Sequence, residues 1–405
     1  MHTDAQALRS LPLEAFDHPQ PCDAWDRSPL ACISDARLVA AAVASITPPK
    51  LAVPSSFVLH APLELLARAA LLPHVAPEAR GPARRQIAAV AVRYAHAGAE
   101  VDTPDSAFRN EALALAALLD ALRSSDAQGA DTALCFLLPR VPLWQLRAAL
   151  VDEVVPCLGA AAHAPILLAA LPRVADRVAG AAGLLRAPLR TLAAAWHQRL
   201  SWHLEAAPIP APLDPAQALL HALTAPARVV SSSSIASTME AVERHGNAAT
   251  HLAGPVRALA PAQAERVLLR VAALSMLQDD PAHAPYGWSH CLTLPQAVLA
   301  NADVARDPGA LVAVAATHVL GFRATLGKVA LDTHEPLPPL ADALSDAPAE
   351  QITQLATRAA LHPDAHLAKY TLACFDAAAR DAEAAPLFLA AAASLGAWWQ
   401  KRTDL

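Results

Sequence analysis

A histidine and a lysine stand three positions apart in the stretch "LHPDAHLAKYTLACFDAAARD", residues 361 to 381. On a helix, His366 and Lys369 share one face. Because apolar residues follow, the sequence predicts that this helix packs into a core. A buried lysine has a lowered pKa, and its neutral amine adds carbon dioxide to form a carbamate, acts as a base, or forms a Schiff base. The alternative is a lysine whose apolar stem lies on the protein while its ammonium reaches solvent.

Three other histidines, His60, His163 and His290, each precede a long apolar segment with hardly any charge. We expect each to lie near the start of a helix, where the proline two residues after His60 and His163 fits the first turn. A buried neutral histidine needs a partner for both ring nitrogens, and a metal ion with a second acceptor provides them. The pattern indicates a metal centre, and a helix cap or a hydrogen-bonded core residue is the alternative at each position.

The composition favours one large helical protein. Of 405 residues, 55% are hydrophobic and 17% charged, which is enough to bury a sizeable core. Alanine and leucine recur with a helical period between proline-rich loops. The sequence predicts an all-α fold, a compact multi-helix array that encloses a metal and substrate cavity. We assign residues 1–405 to a single domain, with an internal boundary expected near 206–215, and interpret 229–238 as a short strand or a loop. The clearest predicted helices are 62–72, 109–125, 188–204, 262–278 and 309–327.

Several classes of function are disfavoured. The net charge is −6 without a basic stripe, which argues against nucleic acid as a partner. The chain has no glycine-rich dinucleotide or P-loop motif. We find no uncharged apolar run of the roughly 18 residues that a membrane span needs, and no signal peptide, so we expect a cytoplasmic protein. The six cysteines include no CxxC pair and are interpreted as reduced core residues.

The order of these motifs resembles the questin oxidase family. That family's pattern has an early "NH-x-P" segment, a middle "FHPLI"-like segment, a later "HAVT"-like segment before an alanine- and leucine-rich helix, and a terminal "H-x-x-K". The corresponding segments here are "SSFVLHAPLELLARAALL", "GAAAHAPILLAAL", "WSHCLTLPQAVL" and "HPDAHLAKYTLAC". The resemblance runs from about residue 55 to 400, and the terminal motif is its most specific part. The chain departs from the pattern at Leu59 and Ala162, where the family has an asparagine and an aromatic residue.

The resemblance implies an oxygenase that uses O2 to open a ring of an aromatic polyketide or quinone-like substrate, by dioxygenase cleavage or a Baeyer–Villiger-like oxidation. It implies a ferrous ion (Fe2+) held by histidines and a carboxylated lysine. The implied metal ligands are His60, His163, His290, His366 and Lys369, of which His290 and Lys369 are also assigned catalytic roles. His221 and His251 remain alternatives to His290 as the third histidine ligand, and the need for NADPH stays open, as does the oligomeric state.

No aspartate or glutamate is expected at a comparable inward position, so the anionic ligand would be the lysine carbamate. We expect apolar and aromatic residues near the ligands to contact the substrate, namely Tyr286, Trp288, Phe322 and Tyr370. Two other functions remain. A metal-dependent hydrolase with a carboxylated lysine would need an HxH pair, which the chain lacks. A non-catalytic helical scaffold would hold these histidines as core residues and bind no metal.

Overall fold

A computed structural model of the chain describes residues 2–16, 23–51, 55–105, 107–175, 177–205, 214–225, 234–334 and 347–403. Within these ranges the structure is helical, and the only β-type pairings are two isolated bridges, Lys50 with Glu100 and Cys157 with Arg199. The predicted all-α class is therefore confirmed. Most of the predicted boundary at 206–215 and the first half of the segment 229–238 lie outside the described residues. The second half of that segment begins a helix at Ile235, so the prediction of a short strand or a loop is wrong there.

The α-helices follow one another in chain order as α1 (His2–Arg9), α2 (Asp23–Asp26), α3 (Asp35–Ile46), α4 (Ser56–Leu71), α5 (Arg80–Ala95), α6 (Glu111–Arg123), α7 (Ala127–Leu137), α8 (Leu143–Val154), α9 (His163–Ala170), α10 (Pro172–Ala175), α11 (Arg186–Ala194), α12 (Trp202–Glu205), α13 (Pro215–Thr224), α14 (Ile235–Arg244), α15 (Asn247–Arg257), α16 (Pro261–Gln278), α17 (Ser289–Leu299), α18 (Pro308–Leu326), α19 (Pro348–Leu361), α20 (Ala365–Arg380) and α21 (Ala385–Thr403). Short 3-10 turns connect several of them, and one π-helical turn, Ala284–Trp288, leads directly into α17.

The chain divides into two compact units, each built from separate stretches of sequence. Unit 1 comprises Met1–Leu150, Ala170–Trp196 and Ala356–Lys369. Unit 2 comprises Val151–Ala169, His197–Leu355 and Tyr370–Leu405.

In unit 1, α4 packs against α3 and α5 and carries His60. This helix begins earlier than predicted, because the hydroxyl of Ser55 caps its first turn by accepting a hydrogen bond from the amide of Val58. Pro62 consequently lies inside the helix and not in its first turn, and His60 lies in the second turn. The expectation of a histidine at a helix start is therefore wrong for His60, but it holds for His163, His290 and His366.

In unit 2, α18 packs against α14, α15, α16 and α17. It begins at a favourable cap, where Asp307 accepts a hydrogen bond from the amide of Ala310 and Pro308 occupies the first helical position. Nearly all of its residues are buried, which accounts for a helix that is apolar on every side. Both α17 and α18 therefore belong to the core of unit 2.

The segment 188–204, predicted as one helix, is divided. Helix α11 ends at Ala194, and the backbone of residues 198–200 pairs with residues 156–158 through the bonds Leu158 N–H to Gln198 O and Leu200 N–H to Pro156 O. His203 lies in the short helix α12, and its side chain is buried in unit 2. Neighbouring Trp202 donates its indole N–H to the Thr317 hydroxyl at 2.9 Å.

Two stretches are long and apolar enough to cross a membrane, residues 56–74 and 308–326. The first contains Glu64 and Arg68 and the second contains Arg323, so neither is an uncharged apolar run. Within the protein, 67% of the first window and 78% of the second are buried. Burial of this extent is typical of core helices, so the two segments are weak grounds for a membrane protein.

Candidate metal centre

His60 and His366 lie side by side in unit 1, although they are far apart in sequence. Their ring centroids are 4.7 Å apart, with the two planes inclined by 60°. His60 comes from α4, and His366 comes from the first turn of α20. Lys369, one turn further along α20, is close enough to both rings to lower their pKa values by charge repulsion. Unit 1 thus brings together three of the five predicted ligands.

Both histidines of unit 1 have their Nδ1 atom bonded to an acceptor. Nδ1 of His60 lies 2.6 Å from the Ser56 carbonyl oxygen, which can only accept, so Nδ1 carries the proton. Nδ1 of His366 lies 3.2 Å from Oδ1 of Asp364. Burial acts to raise the pKa of Asp364, but the hydrogen bonds and charge interaction with His366 outweigh it, so this pKa is lowered. In this tautomer the lone pair that can bind a metal is on Nε2.

Neutral imidazoles are favoured at these positions. Burial is the main cause that lowers the pKa of His60 to about 3, and the charges of Lys369 and His366 add to it. The pKa of His366 is lowered mainly by burial, against the stabilising bond from Asp364. A neutral imidazole is the form that binds metal ions, so the protonation state of both rings is compatible with a ligand role.

Lys369 keeps part of its surface accessible, yet its ammonium lies among densely packed atoms. Burial lowers its pKa to about 7, although the charges of Glu64 and Asp364 act in the opposite direction. At neutral pH the amine is therefore deprotonated in a large fraction of molecules. This matches the predicted core lysine and differs from a lysine that extends into solvent.

Sequence reasoning missed a buried ion pair beside these residues. Glu64 and Arg68 follow His60 at successive four-residue steps on α4, so all three lie along one face. Arg68 donates to Oε1 of Glu64 from Nε at 2.8 Å, and its Nη2 lies 2.6 Å from the same oxygen. Our expectation that no carboxylate occupies an inward position is therefore wrong. Two charged residues inside an otherwise apolar helix were the signal in the sequence.

In unit 2, His163 and His290 form a second pair. Their ring centroids are 6.3 Å apart at an interplanar angle of 66°, and both side chains are buried. Nδ1 of His290 lies 2.5 Å from the carbonyl oxygen of Tyr286, so this ring too is protonated on Nδ1. The same intrahelical bond occurs at exposed His245, where Nδ1 lies 2.7 Å from the Ala241 carbonyl oxygen. The bond alone therefore does not mark a metal ligand, and burial beside a second histidine is the distinguishing feature.

Two buried amides hold α17 in place within unit 2. Asn301, just beyond the C-terminus of α17, donates to the carbonyl oxygens of Ala297 at 2.8 Å and of Pro165 at 3.4 Å. The bond to Pro165 connects the end of α17 with the first turn of α9, which begins with His163. Gln296 donates to the carbonyl oxygen of Ala373 in α20 at 2.8 Å. The mutual position of His163 and His290 is therefore set by side-chain bonds as well as by packing.

The alternatives to His290 lie elsewhere. His221 is exposed on α13 and His251 is partly buried on α15, and neither is paired with His163 by a ring contact of the kind that His290 makes.

The predicted substrate contacts also lie in unit 2. Phe322 and Tyr370 are buried, whereas Tyr286 is 56% exposed. Trp288 is a core residue: its indole N–H donates to the Asp280 carbonyl oxygen at 3.0 Å, and the Arg323 guanidinium lies 6.0 Å from its ring centroid.

The described clefts do not coincide with the predicted ligands. A cleft of about 340 Å3 in unit 1 is lined by α4, α7 and α11 on the side of α4 that includes Leu59 and Pro62. A cleft of about 490 Å3 in unit 2 is lined by α8, α12 and α18. None of the five predicted ligands lines either one, so the predicted enclosed cavity stays a prediction.

The predicted ligand atoms favour particular metal ions. Imidazole nitrogens suit iron, zinc, copper and nickel, and an anionic oxygen donor would reduce the charge of the site. Thiolates are not expected among the ligands. Cys291 and Cys374, the described cysteines nearest in sequence to the predicted ligands, are buried, and burial raises the pKa of each thiol. Comparison of the chain with protein-family models, curated proteins and solved structures finds no match.

Proposed function

We propose that this protein is a non-haem iron oxygenase of the questin oxidase type, which uses O2 to open a ring of an aromatic polyketide or quinone-like substrate. The ferrous ion would be held by His60, His163, His290 and His366, with Lys369 as a carbamate. Bound iron would supply the redox chemistry that activates dioxygen.

One observation carries the proposal: histidines lie side by side within each unit, His60 against His366 in unit 1 and His163 beside His290 in unit 2. The hydrogen bonds of three of these rings agree with it. His60, His290 and His366 each donate Nδ1–H to a carbonyl or carboxylate oxygen, which orients the ring and puts the lone pair on Nε2. Metal-binding histidines are commonly held in this way, because the outer acceptor fixes the tautomer and raises the basicity of the ligand. Burial supports the same conclusion, since a neutral ligand needs no proton removed before a metal binds.

Lys369 has the surroundings that a carbamate ligand requires. Its neutral amine can attack carbon dioxide, forming an N–C bond and releasing one proton, and the product is an anionic oxygen donor. Its position one turn from His366 puts nitrogen and oxygen donors on the same face of α20. The lowered pKa supplies a neutral amine near pH 7. The role of this residue is to hold the ion and to offset its positive charge.

The decisive experiment is elemental analysis of protein purified without chelators. We expect close to one iron per chain in the wild type and loss of iron in His163→Ala and His290→Ala. The matched control is His245→Ala, which removes an exposed histidine with the same intrahelical bond and should retain full iron. Full occupancy in both site variants would contradict the proposal, and loss in His221→Ala would assign the third ligand to His221.

The activity needs a separate measurement. Oxygen consumption should rise when a polycyclic quinone or phenol is added to iron-loaded protein, and it should be absent in His290→Ala. Adding NADPH in a parallel reaction decides whether a reductant is needed. A chain that carries iron but consumes no oxygen with any such compound would rule out the substrate class, whereas a chain without metal would favour the non-catalytic scaffold.

A further inference from the structure

We propose that Arg68 is a positioning residue for the metal centre, which fixes the distance between His60 and the pair His366 and Lys369. The inference rests on the proposed metal-binding role of these residues, but only on those in unit 1. Arg68 lies two helical turns beyond His60 on the same face of α4.

The contacts of Arg68 connect α4 with the turn that precedes α20. Its Nη1 donates to the carbonyl oxygen of Ala360 at 2.7 Å, and its Nη2 donates to that of His362 at 2.7 Å. Ala360 lies in the last turn of α19, where the carbonyl groups lack helical donors. Glu64 neutralises the guanidinium, and the Arg68 side chain is only 1% exposed. The bonds are therefore shielded from water and hold the turn firmly.

This turn sets the position of His366. Asp364 follows His362 by two residues, caps α20 by accepting the amide of His366 at 2.7 Å, and also accepts Nδ1–H of the same residue. A displacement of the turn would therefore be transmitted through the cap to the His366 ring. His60 and Arg68 belong to the same helix, α4. The distance of 4.7 Å between the ring centroids of His60 and His366 therefore depends on the bonds of Arg68 to the turn.

A metal centre tolerates only small changes in the distances between its ligands, so the connection that Arg68 makes affects metal binding. Bonds between Zn2+ and imidazole nitrogens, for example, are about 2.0–2.1 Å long, and a plausible metal site keeps its ligand distances within about 0.2 Å. A small shift of α20 relative to α4 would therefore remove a ligand while leaving both helices folded. Lysine is a poor replacement for arginine here, because its three donors are on one nitrogen, whereas the planar guanidinium spreads its donors between the Glu64 carboxylate and the two carbonyl groups.

The test is a titration of the full-length, metal-free protein with Co2+, followed by visible absorption, which reports the number and geometry of the ligands. For Arg68→Lys we expect an affinity loss of about 10- to 100-fold, the usual range for outer residues of a metal site, and an altered spectrum. The matched control is Arg186→Lys in the same unit. Arg186 is similarly buried and forms two bonds to Asp131 at 2.8 and 2.9 Å, away from the histidines.

The outcomes separate this inference from the proposed function. Wild-type protein that binds no Co2+ contradicts the metal centre itself. Wild-type binding together with an unchanged spectrum and affinity in Arg68→Lys overturns the role of Arg68, as does an equal loss in Arg186→Lys. If circular dichroism shows that Arg68→Lys does not fold, Glu64→Gln serves as the second variant, since it weakens the anchor of Arg68 without changing its size. An unchanged spectrum in folded Glu64→Gln also overturns the inference.

Discussion

The ring of His60 lies against the ring of His366, with centroids 4.7 Å apart, and each ring has its Nδ1 bonded to an oxygen acceptor. Two imidazoles this close would repel each other if both were protonated. Burial and the charge of Lys369 keep the pKa of His60 at about 3. The pair is therefore neutral at physiological pH, which is the form in which imidazole binds metal ions.

Replacement of Asp364 by alanine should weaken metal binding more than it weakens folding. The change removes the cap of α20, which costs about 1 kcal/mol of unfolding free energy, and also the acceptor that orients His366. We expect metal affinity to fall about 10- to 100-fold. Asn110→Ala is the control, since it removes a cap of α6 with no histidine beside it. Urea unfolding and metal titration of both variants test this, and equal metal affinities would contradict it.

Lys369 should be needed for metal binding, and its function should depend on carbon dioxide. Lys369→Ala is expected to lose iron and oxygen consumption, and Lys369→Glu to recover part of the metal because it supplies a shorter carboxylate on the same face. Wild-type protein reconstituted in degassed, bicarbonate-free buffer should regain less activity than protein given bicarbonate.

The control is Lys50→Met, because Lys50 is also buried but donates to the carbonyl oxygens of Ala95 and Gly98 in unit 1. It should destabilise the protein without removing iron. An unmodified Lys369 in high-resolution density of active, iron-loaded protein would refute the carbamate.

His318 should make the protein sensitive to acid. Its ring is fully buried in α18, neither nitrogen has a hydrogen-bond partner among the described residues, and burial lowers its pKa from 6.5 to about 4. Above pH 6.5 the ring is neutral in both states and contributes no pH dependence. As pH falls from 6.5 towards 4, only the unfolded chain takes up the proton, so the unfolding free energy drops by about 1.4 kcal/mol per pH unit.

His318→Leu removes the contribution of His318 to the loss of unfolding free energy at low pH. Urea unfolding at pH 7.5 and pH 5 should show a smaller acid-induced loss in the variant than in the wild type, by on the order of 2 kcal/mol. Other buried histidines contribute equally to both proteins and cancel in the comparison. Identical pH dependence of the two proteins would show that His318 accepts its proton without penalty.

The backbone before His163 should be strained. Ala161 and Ala162 have φ values of 52° and 57°, in the left-handed region that residues with a Cβ avoid at a cost of about 1 kcal/mol each. Ala161→Gly and Ala162→Gly should each raise the unfolding free energy by several tenths to about 1 kcal/mol. As a control, Ala164→Gly inside α9 should lower it by roughly the same amount. Stabilisation of all three variants, or of none, would show that the strain is absent.

The sequence alone determined the all-α class and most of the helices. Helical spacing of apolar residues, together with nearby caps, is a local property, and α6, α16 and α18 lie close to their predicted ranges. The three-residue spacing of His366 and Lys369 likewise fixed their common face, since it depends only on the geometry of one helix.

Only the tertiary structure decided which histidines meet and how each is held. The contact of His60 with His366 depends on how α4 packs against a turn far along the chain. A local sequence pattern does not predict such a long-range contact. The break in 188–204 has a similar origin, because residues 156–158 take the backbone hydrogen bonds that a continuous helix would have used. The pKa of Lys369 was undetermined by sequence for the same reason: burial arises from distant segments, and it changes the chemistry of an amine more than its neighbours in sequence do.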